Sequence, residues 1–510
     1  MVSRAWAFAL PFIAASAIAI GVGCNWILGF EDNYVVAPGG PSCAADIDMQ
    51  RDPANCGRCG NVCAAGLNCK DGYCGSVRQV SAGGSFACAR LDDGTVKCWG
   101  GNEAGQLGMN PANDETCFQG AHCHWQPRTV PFGDVKLTTI STGYDFACGL
   151  AAPTGDNPTT AIYCWGSNEF SQLGHARGAL GDQLPPAGPK EESTCRDVDG
   201  DPIACNWTPH VVGERMRDVF GAVAAGWESA CAALKSDGTT FCWGSNRQYV
   251  RGTEASDAGV EPNIVKDGDS LSKGSADLTM SLGNARACGR DMDGNLTHCW
   301  GDNQGMHDGL GGLGDETFTD AYSAKPITVR TASTDALSGV VRTVTLEGAS
   351  CAQAYDGVWC WGSNYYGVLG TPSVDGGGSA ARVPDLPAVD DISGTYHHVC
   401  TIKDGGVSCW GINGAGQLGR GTLSDDEACT PRKCAQIAGP IPGFDARAIS
   451  SGAEFSVALR ADGTVWAWGS NLSGKCGQPA DAEGHVEVCA RGAPCFPAPR
   501  RIMGIENPSP

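Results

Sequence analysis

The chain is short of basic residues. Lysine and arginine together number 35 against 56 aspartates and glutamates, leaving a net charge of −21. Nucleic-acid binding needs a cationic surface that displaces counterions, so this balance argues against it. The acidic surface serves solubility or meets a basic partner. Histidine is scarce as well, and the nine are scattered: His122, His124, His175, His210, His298, His307, His397, His398 and His485. There is no Gly-x-Ser-x-Gly elbow, no His-Glu-x-x-His pair and no phosphate loop. No catalytic residue, cofactor or metal is therefore expected. Long apolar runs are missing too, except Ala5 to Ile20, which is too short to span a bilayer comfortably.

What the chain has in quantity is glycine, 73 residues, and cysteine, 28 residues. Both fall in seven copies of one pattern: a glycine, a cysteine, a turn, Cys-Trp-Gly-x-Asn, then in most copies Gly-x-Leu-Gly. The fullest copy is Gly83 to Gly108, with Cys88, Asp93-Gly94, Cys98-Trp99-Gly100, Asn102 and Gln106-Leu107-Gly108. The Trp-Gly element returns at Trp165, Trp243, Trp300, Trp361, Trp410 and Trp468, at spacings of 49 to 78 residues. Repeats of this length build an array rather than one packed core. Each reads as four short strands, and seven four-stranded blades close a ring around a channel. The expected fold is all-β: a seven-bladed β-propeller over residues 76–507. For the seven tryptophans, packing between blades is the expected role, with the adjoining glycine allowing a bulge or close approach.

The cysteines support that reading. In six copies two of them stand 9 to 16 residues apart: Cys88 and Cys98, Cys148 and Cys164, Cys231 and Cys242, Cys288 and Cys299, Cys351 and Cys360, Cys400 and Cys409. In the seventh copy both vanish together, to Val457 and Ala467, as a bonded pair would. Turn signals such as Asp93-Gly94 lie between them and suit a hairpin that brings the partners opposite each other. Four more pairs fall in the loops between repeats: Cys117 and Cys123, Cys195 and Cys205, Cys429 and Cys434, Cys489 and Cys495. Their recurrence at one phase puts these loops on one face. Trp125 and Trp207, in or beside them, read either as exposed ligand-binding anchors or as loop packing. Cys476 stands where other copies have leucine, and reads as a buried thiol or as a partner of Cys489 or Cys495. Two metal options are weaker than their alternatives. Cys117, His122, Cys123 and His124 read better as a loop disulfide, and Asp197 to Asp201 as a solvated acidic turn lacking the downstream Glu of a calcium loop.

Residues 1–23 read as an export signal. They end at Gly21-Val22-Gly23-Cys24, which resembles the lipobox of bacterial lipoproteins, with Cys24 the lipidated residue. An ordinary secretory signal cut near Ala15 to Ala19 is the alternative. The resemblance implies a lipid-anchored protein at the outer membrane or cell surface, Asn25 standing where an inner-membrane retention aspartate would otherwise be. Residues 24–42 form a tether. Residues 43–75 hold Cys43, Cys56, Cys59, Cys63, Cys69 and Cys74 and resemble the small Cys-rich module of the stigma-specific protein family. Such a module is too small for a core and depends on disulfides. A zinc site at Cys56-x-x-Cys59 is a minor option in an oxidising compartment.

The repeat as a whole, Gly-x(n)-Cys-x-x-Leu-x-Asp-Gly-x-Val-x-Cys-Trp-Gly-x-Asn-x-x-Gly-Gln-Leu-Gly, resembles that of the regulator of chromosome condensation family over nearly all of residues 76–507. It is similar to exported, Cys-rich bacterial versions. It departs at Val250-Arg251-Gly252 and Lys475-Cys476-Gly477, and the family's histidine before the first strand cysteine survives only as His398. The resemblance implies a propeller whose face binds another protein or a surface polymer. Guanine-nucleotide exchange does not suit an exported chain. The alternatives are an extracellular glycan hydrolase or lyase using the channel mouth, or a purely structural envelope protein.

Overall fold

The computed structural model describes residues 47–505, apart from 118–119, 154–158, 185–194, 198–199, 214–219, 237, 255–258, 266–280, 284, 291–295, 306–308, 373–375, 424–433, 480–481, 483–488, 490–491 and 493. The expected signal and tether, with Cys24 and Cys43, lie outside the described residues, as does Cys429.

Seven antiparallel four-stranded blades follow one another along the chain. The first uses Val77–Ala82, Phe86–Leu91, Val96–Gly101 and His122–Thr129, with Glu115–Thr116 added at its outer edge. The last uses Ala448–Gly452, Phe455–Leu459, Val465–Ser470 and Cys495–Arg501. Among the described residues every blade takes its strands from one stretch of sequence, and no strand from one end of the ring completes the blade at the other. The ring closes by packing the seventh blade against the first.

In all seven blades the register between third and outermost strands shifts at the Trp-Gly element, as between Cys98 and Gly100. The glycine there has a positive φ, from 93° at Gly244 to 110° at Gly166. This is a bulge that a side chain would strain.

On the other side of the third strand the expected cysteine partners stand directly opposite each other. Cys88 faces Cys98 and Cys148 faces Cys164. Cys231 faces Cys242, Cys288 faces Cys299, Cys351 faces Cys360 and Cys400 faces Cys409. All six pairs are bonded, each with a Cα–Cα distance of 4.1 Å. In the blade without cysteines, Val457 faces Ala467 at the same register position.

There is no single core. Seven apolar clusters lie one between each pair of neighbouring blades, and all share one recipe. Between the first and second blades, Cys88, Cys98 and Leu107 of the first meet Trp165 of the second. The same positions recur in the five seams that follow. Cys148, Cys164 and Leu173 meet Trp243. Cys288, Cys299 and Leu313 meet Trp361. Cys351, Cys360 and Leu369 meet Trp410, and Cys400, Cys409 and Leu418 meet Trp468. At the third-to-fourth seam, Cys231 and Cys242 meet Trp300, but the leucine position is Arg251, 1 % exposed, and Val250 takes the apolar place. The closing seam differs most: Val457, Ala467 and Cys476 meet Trp99, with Phe496, Ile502 and Ile505 added. Cys476 is a free, fully buried thiol, its pKa pushed up to about 12 by burial.

The remaining repeat residues are explained by hydrogen bonds. The side-chain oxygen of the repeat asparagine accepts from a backbone N–H five to ten residues on, as Asn102 from Leu107, Asn303 from Leu313 and Asn471 from Cys476. Its amide then donates to a carbonyl farther along the loop, that of Met109 for Asn102. The indole N–H crosses the seam: Trp165 donates to the Gln106 carbonyl at 2.9 Å and Trp243 to that of Gln172 at 2.9 Å. Trp361 is the exception, its Nε1 having no partner among the described residues.

The Cys-rich module contains Cys56–Cys69 and Cys63–Cys74, and Cys59 is also disulfide-bonded. No thiolate is left for the zinc option at Cys56 and Cys59. The module docks across the closing seam. Asn61 Nδ2 donates to the Ala461 carbonyl at 3.1 Å and Ala64 N to that of Asp462 at 3.0 Å, both on the hairpin tip of the seventh blade. Lys70 pairs with Asp92, at the corresponding tip of the first blade, at 2.8 Å. The Tyr73 ring takes the guanidinium groups of Arg78 from the first blade and Arg447 from the seventh, at 4.9 and 4.8 Å.

Candidate binding face at the channel mouth

Antiparallel order divides the ring into two faces. The hairpins between second and third strands, and with them the Cys-rich module, lie on one. The turns between innermost and second strands lie on the other, with the long loops that lead to the outermost strands. Cys117–Cys123, Cys195–Cys205 and Cys489–Cys495 close three of those loops, with Cα–Cα distances of 5.9, 6.2 and 6.2 Å. Cys434 is disulfide-bonded.

Trp125 and Trp207 are both partly buried. Each lies over a glycine in the loop of the preceding blade: a Cβ built on Gly474 would come 2.8 Å from that of Trp125, and one on Gly105 2.8 Å from that of Trp207. Trp207 also packs with Ala104, Cys195, Ile203 and Cys205. Neither lines the channel mouth. The group around Cys117 separates: the two cysteines bond, His122 is exposed, and His124 turns inward to Asp114 at 3.0 Å. At the acidic turn, Asp197 accepts from the Asp201 backbone N–H at 2.8 Å.

The mouth itself is built from the turns that follow the innermost strands: residues 83–85, 143–145, 226–228, 283 and 285, 346–348, 395–397 and 452–454. Their first position sits at the closest approach of the blades. A Cβ on Gly83 would come 2.4 Å from the Gly143 carbonyl oxygen, and one on Gly143 2.4 Å from that of Gly226. Glycine lets the turns link to one another, Tyr144 N donating to Gly226 O at 3.0 Å and Ala453 N to Gly83 O at 3.0 Å.

The second position of those turns supplies side chains to the mouth. Tyr144 and Trp227, from adjacent blades, stack with centroids 4.7 Å apart and planes at 21°. Tyr396 comes from the sixth blade to lean on both, at 5.9 and 5.3 Å. A cavity of about 60 Å³ adjoins the three rings, with Glu347 its one charged lining residue. Glu347 Oε2 lies 2.6 Å from His397 Nε2, and the His397 ring lies 3.8 Å from that of Tyr366. Behind the rings, burial pushes the Asp145 carboxyl up to about 7, with the charge of Glu228 adding to it. Burial likewise raises Glu228, which Arg247 meets at 3.3 Å. The Tyr396 hydroxyl is raised by burial first, and then by the nearby Tyr144, Asp145 and Glu347. The mouth is thus aromatic and acidic. None of these residues stands out in the repeat, because each occurs at a position that varies from blade to blade. Only the column of residues following the repeat glycine, read across all seven copies, would have brought them together.

The regulator of chromosome condensation (RCC1) repeat is matched over residues 77–106 and 446–478, and again over 404–459. These stretches are similar to that repeat. Human E3 ubiquitin-protein ligase HERC2 is 26 % identical over 353 residues, which are 62 % of this chain and only 7 % of HERC2. The Arabidopsis thaliana ultraviolet-B receptor UVR8 is 24 % identical over 406 residues, 79 % of this chain and 78 % of the receptor. Among solved structures, yeast RCC1 (Prp20) bound to Kap60 aligns with a TM-score of 0.59 at 17 % identity, covering 84 % of this chain and 85 % of that one. Human WBSCR16 aligns at 0.54 and 14 % identity, covering 74 % and 85 %. At such identities the likeness is one of fold.

Proposed function

We propose that this chain is an exported binding protein whose loop face, centred on the channel mouth, holds another protein. The observation that carries this reading is the coincidence on one face of disulfide-closed loops and three converging aromatic rings. Stapled loops lose little freedom on binding, and large rigid rings supply contact area at low entropic cost. The Cys-rich module occupies the opposite face. A lipid anchor at Cys24 would lie on the chain before that module. That solved RCC1 was captured with Kap60 is compatible with a propeller acting as a protein-binding platform.

The test is capture from the envelope and culture fluid of the source organism. One bait is the oxidised chain, and the other carries shortened 117–123, 195–205, 429–434 and 489–495 loops. A partner held by the first and lost by the second supports the reading, and identical behaviour of both baits sinks it. The anchor has its own test: Cys24→Ser should abolish incorporation of labelled fatty acid and release the protein from the membrane fraction.

A second reading, a glycan hydrolase or lyase, draws on the Glu347–His397 pair at the mouth. A carboxyl and an imidazole in contact can serve as an acid–base pair. Turnover of an envelope glycan that disappears in Glu347→Gln would favour it.

A further inference from the structure

We propose that the channel mouth is a receptor for one basic side chain, an arginine or lysine projecting from the protein partner. The proposal deepens the binding reading above and rests on it. The seven mouth turns contain four carboxylates, Asp145, Glu228, Glu347 and Glu454, the rings of Tyr144, Trp227 and Tyr396, one histidine, His397, which meets Glu347 at 2.6 Å, and not one lysine or arginine. A ring face carries partial negative charge and attracts a cation most strongly where water is scarce. Tyr144, Trp227 and Tyr396 line the cavity, with Glu347 on its wall.

The cations nearest these turns are already engaged and do not fill the mouth. Lys475 is buried and donates to the Ala453 carbonyl at 2.7 Å. Arg286 is buried and donates to the carbonyls of Asp302, Ala349 and Gln304. Arg247 extends along the surface to Glu228.

Size and charge both narrow the occupant. A cavity of about 60 Å³ holds a few waters or one small head group, not a loop of chain. Burial first, with the charge of Glu228 adding to it, raises the Asp145 carboxyl to about 7 and holds it partly protonated near neutrality. An arriving cation favours its ionised form. An anionic side chain would meet repulsion from Glu347, and an apolar one would gain nothing from it.

The experiment uses the oxidised full chain and three short acetylated, amidated peptides differing only at one central residue: arginine, lysine or citrulline. Binding is followed by calorimetry and by the change in tryptophan emission. The arginine and lysine peptides should saturate, with citrulline weaker by about tenfold. Trp227→Ala and Glu347→Gln should each weaken the cationic peptides by a similar factor and leave citrulline unaffected. Both variants must keep the near-ultraviolet circular dichroism of the parent. Tyr396→Phe, which keeps the ring, serves as a second variant and should bind nearly as the parent does. Equal binding of citrulline and arginine, no saturation by either cation, or indifference to Trp227→Ala and Glu347→Gln in folded protein would overturn the proposal. If that happens while the loop-dependent capture above still succeeds, the face remains a binding face and only the cation receptor is lost. If both fail, the binding reading falls with it.

Discussion

Trp99 Nε1 donates to the carbonyl of Lys475 at 3.1 Å across 376 residues of sequence, and this bond joins the first blade to the seventh. It is the same bond that Trp165 makes to Gln106 and Trp468 to Gln417 within the ring. The repeat motif therefore acts between copies: the indole of one blade and the Gly-x-Leu-Gly turn of the preceding blade form one unit.

Trp99→Phe keeps most of the buried ring area and removes the bond. It should cost about 1–3 kcal/mol, because a buried carbonyl loses its partner. Trp361→Phe is the matched control, since its N–H has no partner among the described residues. Urea titrations should show the first variant clearly less stable than the second.

Reintroducing the missing staple is the second prediction. Val457 and Ala467 face each other as the six bonded pairs do. The double variant Val457→Cys, Ala467→Cys should form a disulfide, detectable as a linked peptide after non-reducing digestion. It should stabilise by at most about 2–3 kcal/mol, since the closed loop is short.

The pH dependence has two opposed parts. Burial pushes His398 down to about 3 from its ordinary 6.5, and its Nε2 lies 2.9 Å from Ser456 Oγ. Below about pH 6.5 the unfolded chain takes up a proton that the folded chain refuses, so this residue lowers stability as pH falls. Asp145, raised from 3.8 to about 7, acts the other way: the folded chain holds a proton that the unfolded chain releases, and stability falls as pH rises from about 4 to about 7. His398→Phe places there the residue found at the equivalent position as Phe86, Phe146 and Phe455, and should reduce the first slope, to which His124 and His210, also lowered by burial, contribute. Asp145→Asn should reduce the second, to which Glu103 and Asp114, both raised by burial to about 7, contribute. Denaturant midpoints measured across this range separate them.

The Cys476 thiol, buried and with its pKa pushed up to about 12, should be inert to alkylating reagents in the folded protein and react at once in denaturant. Cys476→Leu restores the residue used in most other seams and should be close to neutral. Rapid labelling of the native chain would contradict its place in the closing seam.

How much of this was legible beforehand depends on whether a residue repeats. Trp99, Gly100, Asn102 and Leu107 recur in register because each seam makes the same demands, so seven copies announce seven blades. The joint replacement of two cysteines by Val457 and Ala467 revealed a pairing that no single copy could, and it holds in the other six blades, from Cys88 with Cys98 to Cys400 with Cys409. Cys476 was readable from its column alone. Tyr144, Trp227 and Tyr396 were not, because 252 residues separate the first from the last and only ring closure brings them together. Trp125 and Trp207 could be read as anchors or as loop packing; they rest against glycine-bearing loops of the preceding blade, partly buried and away from the mouth.

Closure by packing, with no strand exchanged between first and last blades, has a consequence for how the molecule tolerates rearrangement. Each blade is complete within its own segment, so the closing seam is the ordinary seam with its staple and leucine replaced and a small clasp laid over it. A circular permutant that starts at any other blade, with the old ends joined by a linker, should fold to the same ring. Stripped of the module at residues 47–75, the natural order would become the variant most prone to open, at the one seam where chemistry rather than topology holds the circle shut.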